Sequence, residues 1–260
     1  MQFAALTTIA PGATLAAQCE AIAAAGCAGV ETIVFPTTRL ELWSREMQQS
    51  TNNAGLQPVV VILGGLALYQ PEPMGWIREA LEAIAELGAA ALLTPEYRAQ
   101  DPLPLFPPYP GPSSKEQEQV DQTLNEISQL ATALGVRIFL EPITQFESRF
   151  WRDVDTVLSV CEQLNNLQFG LCLDFHNMNI TEANIEASIG RVGTWIRHIH
   201  LADSNRRLPG QGHINFATGL AALRAVGYAG WYSFECAVEG DFADQVRQTV
   251  HMLEQSINQR

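Results

Sequence analysis

QFGLCLDFHNMNITEANIEASIGRVGTWIRHIHLAD, residues 168–203, opens and closes on apolar runs that end in metal-ligating side chains. The first run, QFGLCLDF, carries Asp174 near its end, and the second, IRHIHLAD, carries His200. Short runs rich in Leu, Ile and Phe read as buried strands. The residues between them suffice for a helix, so the segment reads as strand, helix, strand. Two strands joined in this way run parallel. The same pattern continues in both directions. FLEP ends an apolar run at Glu141, and WYSFE ends one at Glu235. The successive gaps Glu141 to Asp174, Asp174 to His200 and His200 to Glu235 are 33, 26 and 35 positions, about one strand–helix unit each.

Working toward the N-terminus, further strand-like runs are QFAALTTI, AGVETIVF, QPVVVIL, AALLTP and VRIFLEP. With QFGLCLDF, IRHIHLAD and GWYSFE they make eight. The segments between them carry the helical period. Val120, Leu124, Ile127, Leu130 and Leu134 share one face, and Phe242, Val246, Val250, Leu253 and Ile257 share another. Glycines at Ala25-Gly26, Leu134-Gly135 and Val226-Gly227 stop helices just before the next strand. An alternating βαβα order implies a parallel sheet with helical crossovers. Eight units in 260 residues predict an α/β chain folded as a single (β/α)8 TIM barrel, with residues 1–260 forming one domain. No GxGxxG follows the first strand, which argues against a dinucleotide-binding sheet. The long irregular stretch EYRAQDPLPLFPPYPGPSSKEQ, residues 96–117, contains six prolines. It follows the fourth strand, on the mouth side of a barrel, and reads either as a cover over a substrate or as a solvated excursion.

Composition narrows the function classes. The formal net charge of −13 repels phosphate backbones, so no nucleic-acid partner is expected. No apolar run is long enough for a membrane-spanning helix, and the N-terminal MQFAALTTIAPGATLAAQ reads as a first strand rather than a signal peptide. Five cysteines without a CxxC fit a reduced, cytoplasmic chain. Lys115 is the only lysine and lies in the polar PSSKEQEQ. Schiff-base chemistry needs a desolvated lysine, so it is a poor candidate. Homo-oligomerisation is compatible with the sequence.

In a barrel, the C-terminal strand ends share one mouth. Glu141, Asp174, His200 and Glu235 gathered there would form a mixed oxygen and nitrogen site for one divalent cation. Taken singly, each carboxylate could be a salt-bridged residue and His200 a hydrogen-bonded core histidine. Four coincident strand ends of ligand type are better explained by one metal. His198 faces the same side as His200, one layer deeper, as a core residue or a support for the ligands. His213 reads as polar loop surface and His251 as structural or exposed.

The segments LEPITQFESRF, CLDFHNMNI, HIHLADSNRRLPGQGHINF and WYSFEC resemble the xylose-isomerase-like barrel superfamily of sugar isomerases and epimerases. The pattern is most similar to that of D-tagatose 3-epimerase and other ketose 3-epimerases. The resemblance implies metal ligands at Glu141, Asp174, His200 and Glu235, and substrate contacts at Glu147 and Arg206, six residues beyond Glu141 and His200. In the first half it reaches only the βα rhythm and GVETIV, where Glu31 occupies a position that is often acidic. One departure stands out. The epimerase pattern has a substrate-binding histidine three residues after the aspartate. Here Asn177 takes that place and His176 comes one position early, so both are candidate substrate contacts.

Such a set suits proton transfer next to a sugar carbonyl. Mn²⁺ is the expected metal, with Mg²⁺, Co²⁺ or Zn²⁺ as alternatives, and would stabilise an enediolate. Glu141 and Glu235, approaching from different strands, are the expected catalytic acid and base. Removal of the proton from one face and return on the opposite face gives an epimer, and transfer between neighbouring carbons on one face gives an aldose–ketose or hydroxypyruvate-type isomer. Epimerisation at C3 is the preferred reading. A non-catalytic sugar-binding barrel remains open. A hydrolase like the apurinic endonucleases is disfavoured, because no histidine precedes His176 to build a three-zinc site. Arg206 and Arg207, beside Gly210 and Gly212, could take a phosphate or orient sugar hydroxyls, and a free sugar is preferred.

Overall fold

A computed structural model describes residues 1–70, 74–98 and 103–258. Eight parallel strands close into a barrel: β1 (Gln2–Leu6), β2 (Gly29–Val34), β3 (Gln57–Leu63), β4 (Ala90–Leu93), β5 (Arg137–Leu140), β6 (Phe169–Asp174), β7 (Ile196–Leu201) and β8 (Trp231–Phe234). Each pairs with the next in sequence, and β1 closes on β8 through Gln2–Trp231 and Ala5–Phe234. All eight expected strands form. QFAALTTI ends early, because Thr7–Ile9 turns into a 3-10 helix.

Helices α1 (Leu15–Ala24), α2 (Leu40–Ala54), α3 (Met74–Leu87), α4 (Ser114–Leu134) and α5 (Val154–Leu164) follow the first five of these units. The short α6 (Phe175–Thr181) and α7 (Ile185–Val192), then α8 (Phe216–Ala225) and α9 (Phe242–Asn258), complete the layer. On α4, Val120, Leu124, Ile127 and Leu130 are buried as the period requires, and Leu134 is half-buried. Ser113 and Glu116 form a capping box that starts this helix, and Gly135, at φ 68°, ends it. Phe242, Val246 and Leu253 bury the inner face of α9, whereas the side chain of Ile257 lies outside the described residues.

Strands such as β4 and β6 are buried along their whole length, because one face meets the helices and the other fills the barrel. The interior is plugged by a small cluster that includes Ala4, Val60, Leu92, Phe139 and Cys172. The larger core lies between strands and helices. Above the plug, Asp174 pairs in register with His200, and His200 with Ser233. Side chains alternate along a strand, so Cys172 and Asp174, and His198 and His200, point to the same interior. The sheet therefore delivers polar groups of β6, β7 and β8 to one level.

Of the proline-rich stretch, residues 99–102 lie outside the described residues. Its two ends are anchored by one arginine. Arg149 donates to the buried Glu96, at 2.7 Å, and to Glu116 at the start of α4, at 2.9 Å. Its guanidinium also lies 5.3 Å from the Tyr69 ring.

Candidate functional site

Glu141 follows β5, Asp174 ends β6, His200 lies near the end of β7, and Glu235 follows β8. One donor atom from each lies within 4.8 Å of all the others. His200 is the hub. Its Nδ1 is 3.0 Å from Glu141 Oε1 and 3.0 Å from Glu235 Oε2. Its Nε2 is 2.9 Å from Oε1 of Glu31, which is fully buried on β2. The other oxygen of Glu31 lies 3.1 Å from His198 Nε2. Glu235 is the most open of the four, with 26% of its side chain exposed.

These contacts fix the charge states. Burial disfavours a charged imidazole at His198 and lowers its pKa, so the neutral ring donates Nε2–H to Glu31. At His200 burial acts in the same direction, but the surrounding carboxylates of Glu31, Glu235 and Glu141 outweigh it and raise the pKa well above the usual value. Burial alone would raise the pKa of Glu31, yet the two imidazoles hold it below the ordinary carboxylate range. Glu141 behaves in the opposite way. Burial raises it to about 7, with Glu235 and Asp174 adding repulsion. Asp174 is raised by burial too, and Arg206 opposes this. Three carboxylates crowded around one imidazole form an acidic cluster lacking enough positive charge. A divalent cation would neutralise it, and three oxygens with one nitrogen suit such an ion.

Asp174 does double duty. Its Oδ1 caps α6 by accepting from Asn177 N–H at 2.9 Å, while its Oδ2 faces Arg206 at 3.4 Å. HNMNI forms the first turns of this helix. Helical rotation separates the two neighbouring candidates. Asn177 is buried at the cavity wall, and its Oδ1 accepts from Arg206 at 3.2 Å. His176 turns away, with Nδ1 2.9 Å from the main-chain oxygen of Asp203. Glu147 lines the cavity, and its carboxylate accepts from Thr144 at 2.8 Å.

Arg206 has φ 59°, a left-handed conformation that is uncommon for a side chain of this size. The loop around it holds that geometry. Its N–H donates to Asp203 O at 2.9 Å, and its carbonyl accepts from Ala237 N–H at 2.7 Å. The buried Asp203 carboxylate accepts from the N–H groups of Ser204, Gly210, Gly212 and Ile214. Those bonds keep its pKa low against the effect of burial. A Cβ at Gly212 would come within 2.3 Å of Asp203 Oδ1, so only glycine lets the loop close on the carboxylate.

Above the buried cluster lies a cavity of about 500 Å³ at the barrel mouth, which Glu141 and Glu235 line directly. The mouth has two unlike halves. Glu141, Glu147, Asn177, Arg206 and Glu235 come from the β5–β8 side, and Ile33, Phe35, Ile62, Leu66 and Leu92 from the β2–β4 side. Reading the sequence alone did not assign Glu31 to the cluster around His200, or place Cys172 beside it. A carboxylate inside the apolar GVETIV was the available signal, since a buried charge needs partners. Cys172 gave none. Its thiol is pushed well up by burial and stays neutral.

Among known proteins, the chain is 26% identical over 167 residues to 3-dehydro-D-guloside 4-epimerase of Escherichia coli strain K12, covering 64% of this chain and 63% of that one. It is 33% identical over 125 residues to L-ribulose 3-epimerase of Mesorhizobium japonicum, covering 48% and 42%. The chain thus spans less than two thirds of the length of these curated relatives. Among solved structures, 3-keto-D-glucoside 4-epimerase from E. coli superposes with a TM-score of 0.85 at 21% identity, over 98% of this chain and 99% of that one. D-allulose 3-epimerase from Methylomonas sp., solved with D-allulose, gives 0.80 at 19% identity, over 98% and 97%. At these identities the superpositions speak for the fold. The family description "Xylose isomerase-like TIM barrel" matches residues 19–256. With the closed eight-stranded barrel and that match over nearly its whole length, the chain belongs to the xylose isomerase-like TIM barrel family.

Proposed function

We propose that this protein is a metal-dependent sugar epimerase or isomerase that moves a proton at a carbon next to a sugar carbonyl. The observation that carries this reading is the convergence of Glu141, Asp174, His200 and Glu235 within 4.8 Å of one another, with Glu141 and Glu235 lining the cavity. These four residues would hold the cation. Mn²⁺ is preferred, and Mg²⁺, Co²⁺ and Zn²⁺ also suit the donor set. When bound, the ion supplies Lewis-acid stabilisation for the charge that develops on the carbonyl oxygen.

Glu141 and Glu235 are the proton-transfer groups. They sit on different strands, so one removes the proton from one face and the other returns it on the opposite face, which gives an epimer. Glu147, Arg206 and Asn177 orient the sugar hydroxyls, and His176 is placed to support the loop beside them. The substrate is an uncharged small sugar. Among the described residues, Arg206 is the one cation lining the cavity and already faces Asp174, while three glutamates would repel a phosphate. Relatives named as ketose, psicose and ribulose 3-epimerases support C3 epimerisation of a ketose. Similarity to the E. coli 4-epimerase favours a second reading, proton exchange next to a ring ketone of a glycoside. The described cysteines are all buried and unpaired, which supports a reducing, cytoplasmic setting.

The test is incubation of the Mn²⁺-loaded protein in D₂O with a panel of ketoses and keto-glycosides, followed by NMR. Deuterium at C3 with an epimeric ketose is the expected result. Label at C1 or C2 with an aldose product makes it an isomerase. No exchange with any sugar, despite stoichiometric metal, overturns the enzyme reading and leaves a sugar-binding barrel.

A further inference from the structure

The polar half of the cavity serves the chemistry proposed above, but its apolar half does not. From the end of β2, Phe35 reaches the mouth with 43% of its surface exposed, unusual for a phenylalanine that also lines a cavity. Its ring is held firmly. A Cβ built on Gly64 would lie 2.7 Å from Phe35 Cε1 and 2.8 Å from Ile33 Cδ1, and one on Gly65 would lie 3.3 Å from Phe35 Cδ1. The ring therefore rests against a bare glycine pair at the end of β3, where any side chain would displace it. The backbone is equally fixed. Phe35 N–H donates to Thr38 Oγ1 at 3.0 Å, and Thr38 N–H donates to Phe35 O at 2.7 Å. A rigid aromatic surface loses little conformational freedom on binding.

We propose that Phe35, seated on Gly64-Gly65, is the platform of an outer subsite for a second sugar ring, attached through the anomeric carbon of the ring that reaches the acidic cluster. The proposal rests on the second reading above, proton exchange next to a ring ketone of a glycoside, because a ketose bonded through its anomeric carbon has no free carbonyl, and it adds that this glycoside is larger than one ring. Continuity argues for this occupant: Phe35, Gly64 and Gly65 line the same cavity as Glu141, Glu235 and Arg206. Charge agrees with it. Among the described residues, no charged side chain lines the cavity on the β1–β3 side, which favours a neutral occupant. The C–H face of a pyranose ring is apolar and flat enough to lie on an aromatic ring while its hydroxyls stay in water.

The experiment is calorimetric binding to the Mg²⁺-loaded full chain of the methyl glycosides of cellobiose, maltose, lactose and melibiose, each against the methyl glycoside of its non-reducing ring alone. None carries the reactive carbonyl, so binding is read without turnover. At least one disaccharide glycoside should bind about tenfold tighter than its one-ring methyl glycoside. In Phe35→Leu, which keeps apolar volume without a flat face, and in Phe35→Ala, that ratio should fall to near one, while Phe35→Tyr should retain it. One-ring methyl-glycoside affinity and metal stoichiometry should not change. Equal binding of every pair, or a preference that survives in Phe35→Leu, overturns the subsite. Failure of the epimerase reading is seen separately in the D₂O experiment. Proton exchange without a disaccharide preference removes the platform alone, and the preference without exchange removes the enzyme alone.

Discussion

Glu31 Oε1 lies 2.9 Å from Nε2 of His200, so the carboxylate of β2 holds the imidazole of β7 with its Nδ1 facing Glu141 and Glu235. Both groups are fully buried, and the second oxygen of Glu31 is held by His198 at 3.1 Å. A carboxylate on the far nitrogen fixes which nitrogen is free for a metal and raises its basicity.

Glu31→Gln should therefore weaken divalent-metal binding by roughly 10–100-fold while keeping the barrel intact. Equilibrium dialysis with Mn²⁺, beside circular dichroism, checks this. Unchanged affinity would show that His200 is oriented by packing alone.

Metal affinity should also depend on pH in a defined direction. Burial raises the pKa of Glu141 to about 7, so in the metal-free protein a proton competes for the ligand below that pH. His200, its pKa raised, must lose a proton as well. Binding releases protons, so affinity should rise from pH 6 to pH 8. Calorimetry in two buffers of different ionisation enthalpy would count the released protons. A flat profile would mean that neither group carries a proton before the metal arrives.

Much of this was legible in the sequence, for reasons that differ by element. Buried parallel strands are apolar on both faces, so QFGLCLDF and IRHIHLAD announce themselves and a ligand-type residue at their ends stands out. Spacing then placed four such residues around one mouth. Glu31 was harder to place, because its partner His200 is 169 positions away and only barrel closure brings β2 opposite β7. The turn of Asn177 toward Arg206, and of His176 away from it, depended on whether HNMNI was loop or helix. Asp174 decided that by capping α6. Phe35 looked like one more apolar residue, since its exposure follows from the glycines across from it.

Glu141→Gln and Glu235→Gln should each lower turnover by roughly 10²–10⁴-fold at saturating metal, because loss of a positioned acid or base costs about that much. Stopped assays with metal content measured on the same samples check it. Near-normal turnover in either variant would remove that residue from proton transfer.

Arg206 combines a strained backbone with a side chain aimed at Asp174 and Asn177. Arg206→Gly should be more stable than Arg206→Ala by about 1 kcal/mol, since only glycine is at ease at φ 59°. Both should retain metal and raise KM. Urea titration of the pair, read against their kinetics, tests the strain and the substrate contact separately. Equal stability would mean that the loop relaxes once the side chain is gone.

Glu116 ties the proline-rich stretch to the mouth. It receives Ser113 N–H at 2.7 Å and Arg149 at 2.9 Å, and its pKa is lowered from 4.5 to about 2, chiefly by that N–H and then by Arg149. A carboxylate with a depressed folded pKa stabilises the fold above its unfolded pKa, and that contribution is lost as pH falls. The window is therefore pH 4.5 down to about 2. Glu116→Ala should cost about 1 kcal/mol at pH 7, the usual size of a lost cap. The difference from wild type should shrink as pH falls through that window. Thermal melts of both proteins at pH 7, 4.5 and 3 give the comparison. A constant difference at all three would assign the loss to packing of the side chain rather than to its charge. Because Arg149 also holds Glu96 at 2.7 Å, the same variant should make the chain after β4 more open to protease even where the melting temperature barely moves.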